Sequence, residues 1–370
     1  MKLTVGVKLK PTKVQAQALR GTLECANRAA NEISRVAWEK KVFGQFGLQK
    51  LTYKSIREQF GLSAQVVVRV TAKVADAYKL DKRKQRVFRL DGGIAFDDRI
   101  LRYGTDYVSI WTLEGREHIP FVCGARQRRL LSSRQGESDL VLRKGKWYLF
   151  ATVNIIEPLP DEDPEGWLGV DFGIARIASD SEGQSFSGAQ VRSLRKRHRR
   201  LRARLQSKGT KSAKRLLKKR SLKEQRFARD INHQISKAIV LKAQRTKQAI
   251  VLEDLKGLRL RVRASRQVRT ELHSWSFAQL RAFIEYKAVL AGVKVIAVDP
   301  RNTSRECARC GHIAKSNRRS QFQFKCRSCG HTRNADINAA LNIGRRGAVI
   351  RPNVAPTGEA ASPSALAMGL

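Results

Sequence analysis

The sequence predicts an α+β protein of several domains, on three observations. Helical apolar spacing runs near the start, strand alternation broken by turns fills the middle, and two cysteine pairs stand near the end. With 370 residues and 42% apolar content, the chain is long enough for two or three domains with packed cores. Residues 12–41 set Val14, Leu19, Leu23, Ala26, Ala30, Ile33 and Ala37 at helical intervals, and the stretch from Ser63 repeats the habit behind a serine cap. A helical subdomain over 11–85 is expected. From about 86 to 156 the texture changes to strands with turns at RYGTD, LEGRE and RKGKW, which predicts a small β-barrel. Trp111, Trp147 and Tyr148 are expected to fill its core in preference to stacking on bases.

Further along, GWLGVDFGIARIASDSEGQSFSG (166–188) carries apolar side chains at Leu168, Val170 and Phe172 and turns at SDSEGQ, which reads as a β-hairpin. Asp171 falls inside its first strand, with Gly169 and Gly173 leaving space on either side. A carboxylate there is costly to bury unless it meets a cation. The segment QAIVLEDLKGLR (248–259) is a short buried strand, Ala249 to Leu252, ending in Glu253 and Asp254, and VKVIAVDP (293–300) is another ending in Asp299.

Charge narrows the partners. Lys and Arg number 74 against 32 Asp and Glu, a formal net charge of +42 that suits a polyanion, nucleic acid first. No apolar run approaches the roughly 18 residues of a membrane span, and the start MKLTVGVKLKP lacks a signal-peptide core, so a cytoplasmic, nucleoid-associated protein is expected. Residues 192–226 hold 17 Lys or Arg and one acid. Leu194, Leu201, Leu205, Leu216 and Leu217 predict two basic helices on a thin leucine seam, with the turn at SKGT. As a group these cations would bind backbone phosphates, with affinity falling steeply as salt rises.

Four of the six cysteines are patterned. Two residues separate Cys307 from Cys310 and Cys326 from Cys329, with 15 residues between the pairs, the spacing of a zinc ribbon. Four thiolates close a tetrahedron around one structural Zn²⁺ and leave no place for water. His312 and His331 beside them read as surface residues, and Cys25 and Cys123 as buried thiols of a reducing compartment. Asp336 follows at the start of a short amphipathic helix. Taken singly, Glu253 reads as a solvated strand end and Asp336 as an acid complementing a helix dipole. Three such acids in a basic chain change the balance: divalent metal between the carboxylates and a phosphate would explain them, the arrangement of a two-metal nuclease with two Mg²⁺ about 3.5–4 Å apart.

In order, GVDFG, VLEDL, CARCG to CRSCG and RNADINAALNI resemble the RuvC-like, RNase H-fold nuclease of the TnpB family, transposon-encoded proteins related to miniature type V CRISPR effectors. The resemblance covers roughly residues 166–345. It implies that Asp171, Glu253 and Asp336 are the catalytic, Mg²⁺-binding acids and that Cys307, Cys310, Cys326 and Cys329 hold Zn²⁺. It implies RNA-guided cleavage of DNA, with a guide RNA from the transposon end and a double-stranded target marked by an adjacent motif. The implied layout is a wedge-like barrel (1–10 and 86–157) interrupted by a helical recognition domain (11–85). A RuvC-like nuclease domain (166–302 and 331–346) follows, with a ribbon insertion (303–330) and a disordered tail from 347. Under this reading Asp299, followed by Pro300, is a structural turn. Two alternatives compete: a guided DNA-binding repressor, disfavoured because all three acids are present, and a strand-transfer transposase, disfavoured because no separate end-binding helix-turn-helix is evident.

Overall fold

The computed structural model describes residues 1–156, 158, 163–254, 277–320 and 322–349. The chain divides into two compact units, Met1–Ile156 and Glu157–Leu370. No helix among the described residues is long and apolar enough to cross a membrane.

The first unit is built on one seven-stranded antiparallel sheet, in the order β2-β6-β7-β1-β5-β4-β3. Strand β1 (Lys2–Leu9) pairs along β7 (Lys146–Asn154), from Lys2 opposite Asn154 to Lys8 opposite Tyr148, and its end pairs with β5 (Gly115–Val122). Helices α1 (Lys13–Lys40), α2 (Gln45–Phe60) and α3 (Ala64–Leu80) are inserted before the remaining strands, β2 (Ile94–Phe96), β3 (Leu101–Tyr103), β4 (Tyr107–Thr112) and β6 (Arg134–Arg143), and a short helix α4 (Ala125–Leu131) joins β5 to β6. Thr12 opens α1 with a reciprocal capping box to Gln15, and the Ser63 side chain accepts the Val66 N–H at the start of α3. Of the seven apolar positions expected to face inward on α1, six are buried. Val14, in the first turn, is 75% exposed. Helix α2 was not legible in the sequence: it buries Leu48, Thr52 and Ile56 at four-residue spacing but leaves Phe46 85% exposed. Among the aromatic residues expected in the core, Trp147 is buried and Trp111 packs partly against it. Tyr148 departs from expectation. Neighbouring strand residues point to opposite faces, so with Trp147 inside, Tyr148 lies on the other face stacked on Phe150 at 6.2 Å.

The second unit holds a five-stranded sheet in the order β10-β9-β8-β11-β12. Strands β8 (Gly166–Asp171), β9 (Arg176–Asp180) and β10 (Ser185–Ser187) form an antiparallel meander, whereas β11 (Gln248–Glu253) runs parallel to both β8 and β12 (Val295–Val298). A short hairpin, β13 (Gln323–Lys325) with β14 (Thr332–Asn334), brackets the second cysteine pair. The basic segment forms three helices where two were expected: α5 (Ala189–Lys208), α6 (Lys211–Arg220) and α7 (Lys223–Arg245). Gly209, in the left-handed region at φ 63°, ends α5, and Thr210 caps α6 by accepting the Ala213 N–H. The leucine seam is thin: Leu205 is buried, Leu194, Leu201 and Leu217 are half-buried, and Leu216 is exposed.

Period-two alternation sorts the central strands onto two faces. Leu168, Val170, Ile250 and Leu252 pack with Ile235, Ile239 and Ala243 of α7 and with Leu280 and Ile284 of α8 (Phe277–Leu290). Val251 turns the other way, packing with Ile343 of α9 (Ala335–Val349) and with Trp167. Helix α9 thus takes 347–349 from the tail expected to be disordered; from 350 on, the tail lies outside the described residues.

The space expected beside Asp171 at Gly169 is filled by α9. A Cβ on Gly169 would collide with the backbone of Ala340 and Gly344, standing 2.9 Å from the Gly344 Cα. Gly169→Ala therefore has to lift the helix off the strand, at an expected cost of about 3 kcal/mol. That lowers the melting temperature of this unit by roughly 10 °C. Gly344→Ala, whose Cβ would sit 3.1 Å from the Trp167 carbonyl oxygen, is the milder comparison. Differential scanning calorimetry tests this. A Gly169→Ala melting point within 2 °C of the parent would contradict the close seat of α9.

Candidate active site

Two of the acids are brought together by strand register. Strands β8 and β11 pair in parallel up to Val170 opposite Leu252, so the next residues, Asp171 and Glu253, end adjacent strands side by side. Each lies one residue beyond the side chains that face α7 and α8, so both project toward the face covered by α9. The third acid, Asp336, is in the first turn of α9, and it is only 8% exposed. The close seat of α9 on Gly169 fixes how far Asp336 stands from the strand ends.

Their electrostatics follow from that crowding. Burial, then the charges of Glu253 and Asp336, hold the Asp171 carboxyl well above the usual carboxylate range; Arg318 and the Phe172 N–H offset only part of this. Burial also raises Glu253, against a hydrogen bond from Thr303 and the positive charges of Arg346 and Arg318. Asp336 is raised by burial too, opposed by Arg318 and Arg176. The three carboxylates share one half-buried corner, but among the described residues only the four cysteines bring their ligand atoms within 4.8 Å of one another, so a divalent cation would have to draw the acids closer to be held by all three.

Neighbouring groups orient the acids. The Thr303 hydroxyl donates to Glu253 Oε1 at 2.5 Å. Arg318 Nη2 donates to Asp336 Oδ1 at 3.3 Å, and Arg176 Nη1 lies 4.0 Å from Asp336 Oδ2. None of these three residues was singled out from the sequence. Their roles depend on contacts across the fold, and no local spacing announces them.

Other acids are differently placed. Asp180, read only as a turn residue, is 1% exposed, but Lys242 Nζ meets it at 2.6 Å and its Oδ1 accepts the N–H groups of Glu182 and Gln184. Its charge is already satisfied. Asp299 is exposed and accepts the Arg301 N–H at 3.0 Å in a tight turn, while Asp254 accepts from Arg281 Nη1 at 3.2 Å.

The four patterned cysteines converge, with all four Sγ atoms within 4.8 Å of one another. Cys307 and Cys329 are 3.7 Å apart and Cys310 and Cys326 3.6 Å apart, close to the ~3.8 Å edge of a tetrahedron with Zn–S bonds of about 2.3 Å. Each knuckle is a tight loop. The Cys307 N–H donates to the His312 carbonyl and the Cys326 N–H to that of His331, with Gly311 and Gly330 at φ 75° and 70°. The Arg309 N–H points at Cys307 Sγ and the Cys329 N–H at Cys326 Sγ, both at 3.4 Å. The donor set fits zinc. Of the two remaining cysteines, Cys25 is buried as expected, and Cys123 is only half-buried.

Helix α9 joins the ribbon to the acids. Asn338 donates to the Glu306 carbonyl at 2.7 Å and accepts the Ala308 N–H at 3.0 Å. Asn342 donates to the carbonyls of Thr303 and Glu306 at 2.9 and 2.7 Å. The first knuckle is therefore clamped to the helix that carries Asp336.

Two family models match. The one described as Cas12f1-like, TNB domain, covers residues 277–343, and the one described as Probable transposase (OrfB_IS605) covers 150–260. A putative RNA-guided DNA endonuclease InsQ of Escherichia coli (strain K12) is 32% identical over 54% of this chain and 53% of its own. A CRISPR-associated endodeoxyribonuclease Cas12f1 of Sulfoacidibacillus thermotolerans is 33% identical over 54% of this chain and 50% of its own. The TnpB-like protein MJ0751 of Methanocaldococcus jannaschii is 36% identical over 35% of this chain and 46% of its own. The chain thus spans about half the length of the curated relatives it matches. In fold it is similar to the mini-RNA-guided endonuclease CRISPR-Cas_phi3, with a TM-score of 0.55 at 12% identity over 96% of this chain and 94% of that one. The two family matches fall on residues 150–260 and 277–343, the same half of the chain that carries the acids and the four patterned cysteines, and there the chain is similar to proteins named InsQ, Cas12f1 and TnpB-like.

Proposed function

We propose that this protein is an RNA-guided DNA endonuclease that hydrolyses phosphodiester bonds with a two-metal, RuvC-like site made by Asp171, Glu253 and Asp336. The observation that carries the reading is the in-register pairing that sets Asp171 beside Glu253 under the helix bearing Asp336. The strand order, an antiparallel meander followed by two strands parallel to the first, supports an RNase H-like domain over 166–302 and 331–346. Residues 303–330 form its zinc ribbon. Residues 1–10 and 86–157 are the wedge barrel, and 11–85 the recognition domain that helps hold a guide RNA from the transposon end and a target with its adjacent motif. The protein works in the cytoplasm, at the nucleoid.

The carboxylates of Asp171, Glu253 and Asp336 would hold two Mg²⁺, which when bound would supply Lewis acidity to the attacking water and the leaving 3′ oxygen. Thr303 occupies one lone pair of Glu253 Oε1 and so fixes which oxygen faces the site. Arg318 and Arg176 bring positive charge to the same edge, where an incoming phosphate adds negative charge. Exposed cations along α5 and α6 give the backbone of a nucleic acid further contacts.

Purified with the RNA it carries, the protein is expected to linearise a plasmid bearing the matching target in Mg²⁺, and to leave it intact in EDTA or after RNase treatment. Equal cleavage of an unmatched plasmid, or cleavage without divalent metal, would overturn the proposal.

A further inference from the structure

Helix α9 carries Asp336 in its first turn and Arg346 near its other end, roughly 15 Å along the axis, and its close seat on Gly169 lies between the two. Asp336 belongs to the acid cluster itself. Arg346 reaches the cluster indirectly, through the turn that leads from β12 into the first knuckle. We propose that Arg346 is a positioning residue for Glu253: it straps the turn 299–306, and Thr303 with it, to the end of α9, so that this carboxylate meets a cation in one orientation. The proposal rests on the endonuclease reading only for the metal.

One guanidinium makes the strap. Arg346 Nη1 donates to the carbonyls of Asp299 and Arg301, both at 2.7 Å, and Nη2 donates to Glu306 Oε2 at 2.6 Å. These three acceptors bracket Thr303, whose hydroxyl donates to Glu253 Oε1 at 2.5 Å. Arg346 and Glu306 are both half-buried, so their charge-assisted bond is worth more than an exposed ion pair. Asn338 and Asn342 hold the carbonyls of Thr303 and Glu306, in the later part of the turn. Arg346 adds its beginning. The whole turn is then referred to the helix that also carries Asp336, and two of the three acids share one rigid support.

Shape and charge make opposite demands here, which separates their effects. A lysine would bring the same charge as a point, without the planar fork that meets two carbonyls and a carboxylate together. Burial raises the Glu253 carboxyl and the charge of Arg346 opposes that rise, so the guanidinium is within electrostatic reach of Glu253. A positive charge at that range repels a divalent cation. What Arg346 contributes to a metal site is therefore the direction of Glu253, against the sign of its own charge.

The test measures Mn²⁺, a paramagnetic substitute for Mg²⁺, on the full-length protein freed of RNA, by electron paramagnetic resonance, counting the ions that Glu253→Gln no longer holds. Arg346→Lys and Thr303→Val should each weaken this binding about tenfold. Combined, they should be no weaker than Thr303→Val alone, because both act through one hydroxyl. Arg345→Lys, exposed on the same helix, should bind as the parent does. In guided cleavage by Arg346→Lys, the Mg²⁺ concentration for half-maximal rate should rise about tenfold, with the rate at saturating Mg²⁺ within about threefold of the parent's. A loss of fold would instead lower the saturated rate and leave the Mg²⁺ requirement unchanged. Arg346→Gln checks the sign: removing a charge alone would tighten Mn²⁺ binding, whereas losing the strap weakens it. Parent-like binding by Arg346→Lys, additive losses in the double variant, or tighter binding by Arg346→Gln would overturn the proposal. Mn²⁺ held by the parent and indifferent to Arg346 rejects the strap and keeps the metal site. No Mn²⁺ lost on Glu253→Gln rejects the metal site itself, and the proposal with it.

Discussion

Asp171→Asn is expected to reduce target cleavage by at least about a thousandfold while making the metal-free protein more stable. Both effects have one cause. Burial and the neighbouring carboxylates raise the Asp171 carboxyl, and burial raises Glu253 and Asp336 as well, so the native state holds protons that the unfolded chain has already released. Stability of the metal-free protein therefore falls as pH rises from the ordinary carboxylate range through the raised native values. At neutral pH the cluster is under strain that a divalent cation relieves. Asparagine keeps the shape of the side chain and removes one charge, which should stabilise the metal-free fold by about 1 kcal/mol, or roughly 2–4 °C in melting temperature. Adding Mg²⁺ should raise the melting temperature of the parent, because ligand binds only the native site, and should do little for the variant. The order of the two melting temperatures without added divalent cation would then narrow or invert in Mg²⁺. An Asp171→Asn protein that melts below the parent without added Mg²⁺, or that keeps the full Mg²⁺ shift, would exclude a repulsive metal site at these acids.

What was legible in the sequence divides along a physical line. The four cysteines could be found because a zinc knuckle is a local loop, so its ligands keep short spacings. Asp171 and Glu253 could be found as acids because a charge in an apolar strand stands out in a window of a few residues. That they end adjacent strands in matching register is a property of the sheet, since α5, α6 and α7 lie between those strands in the chain. Gly169 illustrates the same limit. Its small size was evident, but the space it leaves is used by the backbone of α9, which arrives from the far end of the unit. Thr303, Arg318 and Arg176 gave no sequence signal at all. Asn338 and Asn342 did give one, in retrospect: two amides four residues apart in ADINAALNI lie on one face of a helix, and a polar stripe on a buried helix needs partners. Those partners are the carbonyls of the first knuckle.

Under the proposed function that clamp would make zinc a condition of cleavage, although no cysteine of the ribbon belongs to the acid cluster. Stripping zinc, or replacing Cys326 by Ser, is expected to cut cleavage by at least about a hundredfold while leaving most of the secondary structure in place. Cys310 and Cys329 are exposed, so a chelator can reach the metal. Without it the loops around Cys307 and Cys326 lose the centre that holds them closed, leaving ties such as Asn317, which donates to the Arg305 and His312 carbonyls and accepts the Arg327 N–H, and the packing of Phe324 between them. Loosening residues 303–308 frees Thr303 from Glu253, and loosening the turn at Arg318 removes its contact with Asp336. The sheet and the seat of α9 on Gly169 do not depend on the ribbon, so the loss should be of geometry and not of fold. Hydrogen exchange should therefore rise across the ribbon while the amides of β8 and β11 stay protected, and added Zn²⁺ should restore cleavage to the stripped parent but not to Cys326→Ser. Asn338→Ala separates the clamp from the metal: it should keep its zinc and still cleave about tenfold more slowly, the effect of a few tenths of an ångström at the third acid. Full cleavage by zinc-free protein, or an Asn338→Ala protein as fast as the parent, would show that the ribbon does not position Asp336.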